Sequence, residues 1–328
     1  RQMENMAAML PVSIVLLLPS IIFAPKLMKW MDPAVLAQDA LLQHKAGYLN
    51  QPFFYVRLAI YAVIWLYLSR RLVSLSLRQD QTGERSLSNK AKFTSSWGLL
   101  AFALSVAFAS FDLVMALDFH WFSTMFGVYF FAGNMIASLG LVAVVLGLIH
   151  RSGKLQGLVT GEHFHDLGKL MFGFTVFWAY VTFSQYFLYW YANIPEETAW
   201  FLVRTSNGWD QFGLVLILGH FILPFLVLLF RDVKRSFVLL PLVGLWMIAM
   251  HCVDIFWVVR PMVFKDEGGV SPLDLIPGKV GLSWVDLAGV VGPVALWAGL
   301  LLRRVASKPL SPLKGPYRHA ATGHKNYV

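Results

Sequence analysis

The sequence predicts an all-α polytopic membrane protein, and three observations predict it. Hydrophobic residues make up 57% of the chain and charged residues 14%, against roughly a quarter charged in a soluble domain. Apolar runs near the length that crosses ~30 Å of hydrocarbon recur eight times. The connections between these runs hold nearly all the charge.

Taken in order, helix A is expected over Ala7 to Phe23, B over Phe53 to Leu68, C over Trp97 to Leu117 and D over Phe126 to Ile149. Helix E follows over Leu170 to Ala192, F over Phe212 to Phe230, G over Phe237 to Val259 and H over Val285 to Leu302. The runs are continuously apolar and do not alternate over short segments. Lipid admits only helices and closed barrels, so helices are predicted. Trp97, Trp121, Trp190, Trp209, Trp257 and Trp284 fall near the expected helix ends, where an indole gains from lying at headgroup level. Residues 1–304 read as one transmembrane domain and 305–328 as a cytoplasmic tail.

Orientation follows from the basic residues. The B–C connection carries Arg70, Arg71, Arg78, Arg85, Lys90 and Lys92, and the D–E, F–G and tail segments add most of the rest. Positive loops resist translocation, so both chain ends are placed on the cytoplasmic side. The same rule accounts for the net charge of +9 without nucleic acid. A single cysteine, Cys252, excludes an internal disulfide framework, a thiolate cluster and C-x-x-C-H haem attachment. The chain holds no Walker-type loop, nucleophile elbow or Gly-rich dinucleotide fingerprint.

An ionisable side chain in hydrocarbon costs at least about 2.5 kcal/mol, so each one is a functional candidate by default. Helix C carries Asp112 and ends at Asp118, D carries Asn134, E carries Gln185, F carries His220, G carries His251 and Asp254, H opens with Asp286, and Arg57 lies one turn inside B. The topology puts most of these in the outer half of the membrane, with His220 and Asn134 near the midplane. That distribution suits a polar half-channel opening outward. A path through the inner half would have to use Tyr61, Thr175, Tyr180 or waters.

His251 and Asp254 are three residues apart and share a helix face, and a carboxylate beside an imidazole favours its charged form. The bland alternative is a packed pair that holds G against a neighbour. Asp112 has no basic partner within its helix, which favours a protonatable carboxyl. Pro224 cannot donate to the carbonyl of His220, so F is expected to kink there. Gly292-Pro293 is read as a similar break in H. His220 and His251 are the one deep pair that could ligate a b-type haem, a weak constellation at two different depths. Glu162-His163-Phe164-His165-Asp166 has metal-like spacing but no defined third ligand, and reads as a solvated loop. Gly133 and Ala137 form a small-xxx-small face on D.

The run from Phe111 to Tyr129, Phe-Asp-Leu-Val-Met-Ala-Leu-Asp-Phe-His-Trp-Phe-Ser-Thr-Met-Phe-Gly-Val-Tyr, resembles the signature of ActF, a NrfD-like membrane subunit family of bacterial alternative complex III. Phe177 to Glu197 and, less strongly, Asp254 to Pro261 are similar to the same family, as is the Tyr48-to-Phe54 entry to B. That family has about ten membrane helices, so the resemblance implies that two precede helix A, in keeping with a start at Arg1.

The resemblance further implies a polysulfide-reductase-type helical fold within a complex that oxidises menaquinol or a related quinol. The implied partners are a multihaem cytochrome, an iron–sulfur/molybdopterin-like subunit, a paralogous NrfD-like subunit, lipids and a terminal cytochrome oxidase. No haem or iron–sulfur cluster is expected in this chain. Asp112, Asp118, His220, His251, Asp254 and Asp286 are the expected proton path, and Arg57, Asn134 and Gln185 a polar or quinone pocket. A structural scaffold is the rival reading; a secondary transporter is a weaker one, since it would need paired helices broken at the midplane.

Overall fold

The computed structural model describes residues 1–206, 208–263, 284–316, 320 and 322–325. All eight expected spans are present as helices long and apolar enough to cross a membrane. They are numbered here as α1 (Gln2–Ala7 continued by Leu10–Ile22), α2 (Gln51–Thr82), α3 (Ser86–Leu113), α4 (Phe126–Arg151), α5 (Gly161–Ala192), α6 (Trp209–Leu229), α7 (Leu239–Val263) and α8 (Trp284–Ser307). No strand occurs among the described residues. Part of the predicted tail lies outside them.

Several helices run past the hydrophobic limits read from sequence, because backbone hydrogen bonds persist where the chain leaves hydrocarbon. α2 starts where the Asn50 side chain accepts from Phe53 N at 3.0 Å and stops at Gly83, whose φ of +72° favours glycine. α5 begins nine residues before its apolar core, at a capping box in which Thr160 N donates to His163 Nδ1 at 3.1 Å. Conversely, the helix expected to reach Leu117 ends as α3 at Leu113 and turns through a short 3₁₀ segment, Met115–Leu117.

The chain forms two compact units. The first comprises residues 1–109 and, among the later described residues, 284–316, 320 and 322–325, and contains α1, α2, most of α3, and α8. Short helices link α1 to α2, their starts capped by Asp32 and Asp39. Trp30 is buried edge-on against Phe54, with ring centroids 5.6 Å apart. After α8 the chain lies along the end of α2: Leu313 N donates to Asp80 Oδ1 at 2.9 Å and Lys314 Nζ to Gln81 O at 2.7 Å. The expected break at Gly292-Pro293 is absent, and α8 passes through Pro293 as one helix. Membrane helices tolerate this where neighbouring groups take up the freed carbonyl.

The second unit, with described residues 110–206 and 208–263, holds α4 to α7. Its centre is α4, more than half of whose apolar stretch is buried inside the protein. A glycine contact lets α4 and α7 approach to backbone distance: a Cβ on Gly140 would lie 2.7 Å from Gly244 O, and one on Gly244 would lie 2.6 Å from Gly140 O. Gly133, Gly140 and Gly147 recur every seven residues along the α4 face that meets α7, and the last abuts Pro241. Lipid tails give apolar helices no reason to associate, so this fit supplies the attraction through dispersion. The small-residue face, read from Gly133 and Ala137, extends along α4 as three glycines at seven-residue spacing.

The expected kink in α6 takes the form of a π-segment, Leu216–Ile222, between two α-helical turns. Pro224 has no N–H for the carbonyl of Gly219 in the π register or of His220 in the α register. Trp246 Nε1 on α7 serves Gly219 O instead, at 2.7 Å.

The tryptophan belt is half correct. Trp97, Trp190 and Trp284 are exposed, whereas Trp121 and Trp209 are core residues at 3% and 1% exposure. Proximity to a helix end cannot distinguish an indole facing lipid from one facing a neighbour.

The α4–α7 contact predicts that Gly140→Ala costs about 1–3 kcal/mol, because the added methyl meets backbone that cannot move independently. Gly299→Ala, with no atom within 4 Å of its Cβ position, should stay within about 0.5 kcal/mol. Thermal unfolding in mild detergent distinguishes them, and equal shifts would show that the close approach contributes nothing.

Candidate functional site: a buried acid–imidazole cluster

The cluster is assembled on α7, whose helical pitch puts His251 and Asp254 on one face. Asp254 is 1% exposed. Tyr129 Oη on α4 donates a close hydrogen bond to Asp254 Oδ1, and Trp178 Nε1 on α5 donates to Oδ2 at 3.1 Å. One carboxylate is thus gripped from two other helices. His251 Nδ1 stands 3.7 Å from Asp254 Oδ2, beyond hydrogen-bond length yet closable by a small ring rotation.

Gly133 makes room for this imidazole, since a Cβ there would fall 2.6 Å from His251 Cε1. His220, wholly buried on the π-segment, packs its ring 4.1 Å from Trp178 and 6.3 Å from His251, centroid to centroid. Neither ring nitrogen of His220, nor Nδ1 of His251, has a hydrogen-bond partner among the described residues. A buried imidazole without partners is costly, so the two rings retain unused capacity to take or give a proton.

A second polar centre lies in the same unit. Arg204 closes the short helix Pro195–Arg204 and is wholly buried. Its guanidinium lies 3.4 Å above the Trp200 ring and donates to Trp200 O at 2.8 Å and closely to Val258 O on α7. Trp121 stacks on the Trp200 ring at 4.3 Å and 15°. Burial pushes the Arg204 pKa down to about 9, opposed by the charge of Asp118. The group therefore remains a cation at neutral pH. Asp118 is also buried, and its Oδ1 accepts from His120 N at 3.3 Å.

Of the expected site residues, Asp254, His251 and His220 come together, and Asp112 is wholly buried in the last turn of α3 in the same unit. Asn134 spends its amide on Phe130 O of its own helix at 2.8 Å. Gln185 is buried with Oε1 unpartnered among the described residues. Arg57 and the half-buried Asp286 belong to the first unit, where Arg57 donates to Tyr48 O at 2.8 Å and lies over the Tyr48 and Phe53 rings. Thr175 back-bonds to Met171 O at 2.8 Å, and Tyr180 is 65% exposed, so neither extends the cluster inward.

The Glu162–Asp166 segment is not a solvated loop. It forms the first turns of α5, with His163 turned into the cap, His165 buried and Glu162 paired with Arg235. No group of three or more metal-ligating side chains occurs among the described residues.

Tyr129, Trp178 and Arg204 were missed as site residues. Tyr129 and Trp178 read as ordinary aromatics of a membrane span, and Arg204 as a loop cation. The only signal in the sequence was that the first two fall within the stretches carrying the family resemblance.

Fold and site together define a polytopic helical protein with a carboxylate–imidazole cluster buried among its helices. No protein-family model matches the chain, and no curated protein matches it either.

Removing the Arg204 side chain leaves a cavity and breaks the buried interaction with Asp118. Arg204→Ala is therefore expected to cost about 3 kcal/mol. Arg204→Met, which fills the volume without a charge to desolvate, should recover most of that loss. Melting both variants in detergent checks this, and equal losses would show that the cation itself carries the stability.

Proposed function

We propose that this chain is a membrane subunit of a respiratory quinol-oxidising complex, of the alternative complex III type, and that it handles protons while electrons pass through partner subunits. The observation carrying this reading is Asp254, buried and clasped by Tyr129 and Trp178, with an imidazole 3.7 Å away and a second imidazole beyond it.

Two donors stabilise the carboxylate as an acceptor, and His251 can bring a proton to it by rotating through the short gap. His220, with both nitrogens unpartnered among the described residues, exchanges with His251 through a similar motion or one bridging water. Asp112 is a second buried carboxyl from which a proton can be taken up or passed on. The positive-inside rule places the basic connections in the cytoplasm, so the proton leaves on the opposite, outer side. Support for the family comes from the residues: two of the stretches that resemble ActF proteins supply Tyr129 and Trp178, the two donors to Asp254.

One observation favours the scaffold reading. The same hydrogen bonds tie α4, α5 and α7 together, which a purely packing role would also require.

The two readings separate in the purified complex. Asp254→Asn and Asp112→Asn are each expected to slow quinol oxidation or its coupled proton release about a hundredfold, the lower reach of a lost proton-transfer group, with all subunits retained. Unchanged turnover and proton stoichiometry in both variants would sink the proton role. Loss of subunits from Asp254→Asn would favour the scaffold.

A further inference from the structure

A groove opens on the first unit between the start of α1, the second half of α2 and the end of α8, with a volume of about 360 Å³. Its α2 wall is a single helix face on which apolar and cationic residues alternate at helical spacing. Leu66, Val73 and Leu77 line it, and Arg70 and Arg78 stand among them. Arg304 reaches in from α8.

The cations are what set this groove apart. Arg70 and Arg78 are exposed and Arg304 is half-buried. None of the three has a carboxylate partner among the described residues, and the Nε of Arg304 is buried with no acceptor. The nearby carboxylate Asp80 is already engaged by Arg1 and Leu313 N. The groove thus presents unneutralised guanidinium groups, well suited to bidentate contact with a phosphate, beside an apolar floor. It lies toward the end of α2 where the apolar run gives way to the basic connection. Headgroups meet acyl chains at such a boundary.

We propose that this groove is a binding site for an anionic phospholipid. The phosphodiester sits among Arg70, Arg78 and Arg304, and an acyl chain lies along Leu66, Val73 and Leu77. A free phosphate would satisfy the same cations but would leave the apolar floor uncovered, so the lipid is the occupant that matches both halves. The site stands whatever the buried acid cluster does.

Native mass spectrometry tests this on protein purified from its own membrane, delipidated and supplied with phosphatidylglycerol or phosphatidylcholine at equal concentration. The wild type should retain phosphatidylglycerol at least about tenfold better than a combined Arg70→Gln, Arg78→Gln, Arg304→Gln variant, given the worth of each cation at an anionic surface. Phosphatidylcholine should bind both weakly and equally. Equal retention of phosphatidylglycerol by both proteins overturns the site, as does equal retention of the two lipids by the wild type. Displacement of phosphatidylglycerol by millimolar inorganic phosphate would assign the cations to free phosphate and overturn the lipid. If the triple variant fails to fold, Val73→Trp obstructs the acyl floor with the charges intact. Reduced phosphatidylglycerol retention then supports the proposal, and undiminished retention overturns it.

Discussion

The second unit depends on one buried carboxylate. Removing Asp254 from water is tolerable only if its oxygens find donors, and the side chains that provide them, Tyr129 and Trp178, stand on two different helices. That requirement fixes how α4 and α5 are rotated about their axes relative to α7. A helix with a nearly featureless apolar surface could otherwise turn with little penalty. The hydrogen bonds are short in reach and directional, so they supply the specificity that dispersion between apolar helices lacks.

Two further features follow from fitting helices around that carboxylate. The close contact of α4 with α7 needs glycine at positions 140 and 244, and the same face needs glycine at 133 to admit the His251 ring. On α6 the π-segment places His220 beside Trp178, and the ladder defect near Pro224 is answered by Trp246 from α7. π-segments cost local hydrogen-bond geometry and recur at functional positions. The proposed proton relay uses what this one creates, a buried imidazole with both nitrogens unspent among the described residues.

The site was partly legible in sequence. His251 and Asp254 could be paired because helical pitch alone places residues three apart on one face. His220 could be marked because proline four residues on must leave a carbonyl unserved. The partners of Asn134 and Arg57 were not legible: polarity within an apolar run says that a side chain needs a partner, not where it is. Asn134 found its own helix, and Arg57 found a backbone carbonyl and two aromatic rings. The histidines near Thr160 illustrate the converse. Their alternate spacing resembled a ligand set, but a helix already begun there points His163 into the cap while His165 is buried.

By itself the sequence determined that the chain is helical, where its eight apolar segments lie, and which few ionisable groups they carry. These follow from constraints that act along one dimension, the thickness of hydrocarbon and the need to satisfy every backbone polar group locally. Only the tertiary structure decided that Tyr129 and Trp178 are the donors to Asp254, that Trp121 and Trp209 face protein, and that the glycines of α4 meet α7. Those outcomes turn on which faces of distant helices are brought together. Residues 76 and 125 positions from Asp254 in sequence reach it only because three helices pack at once.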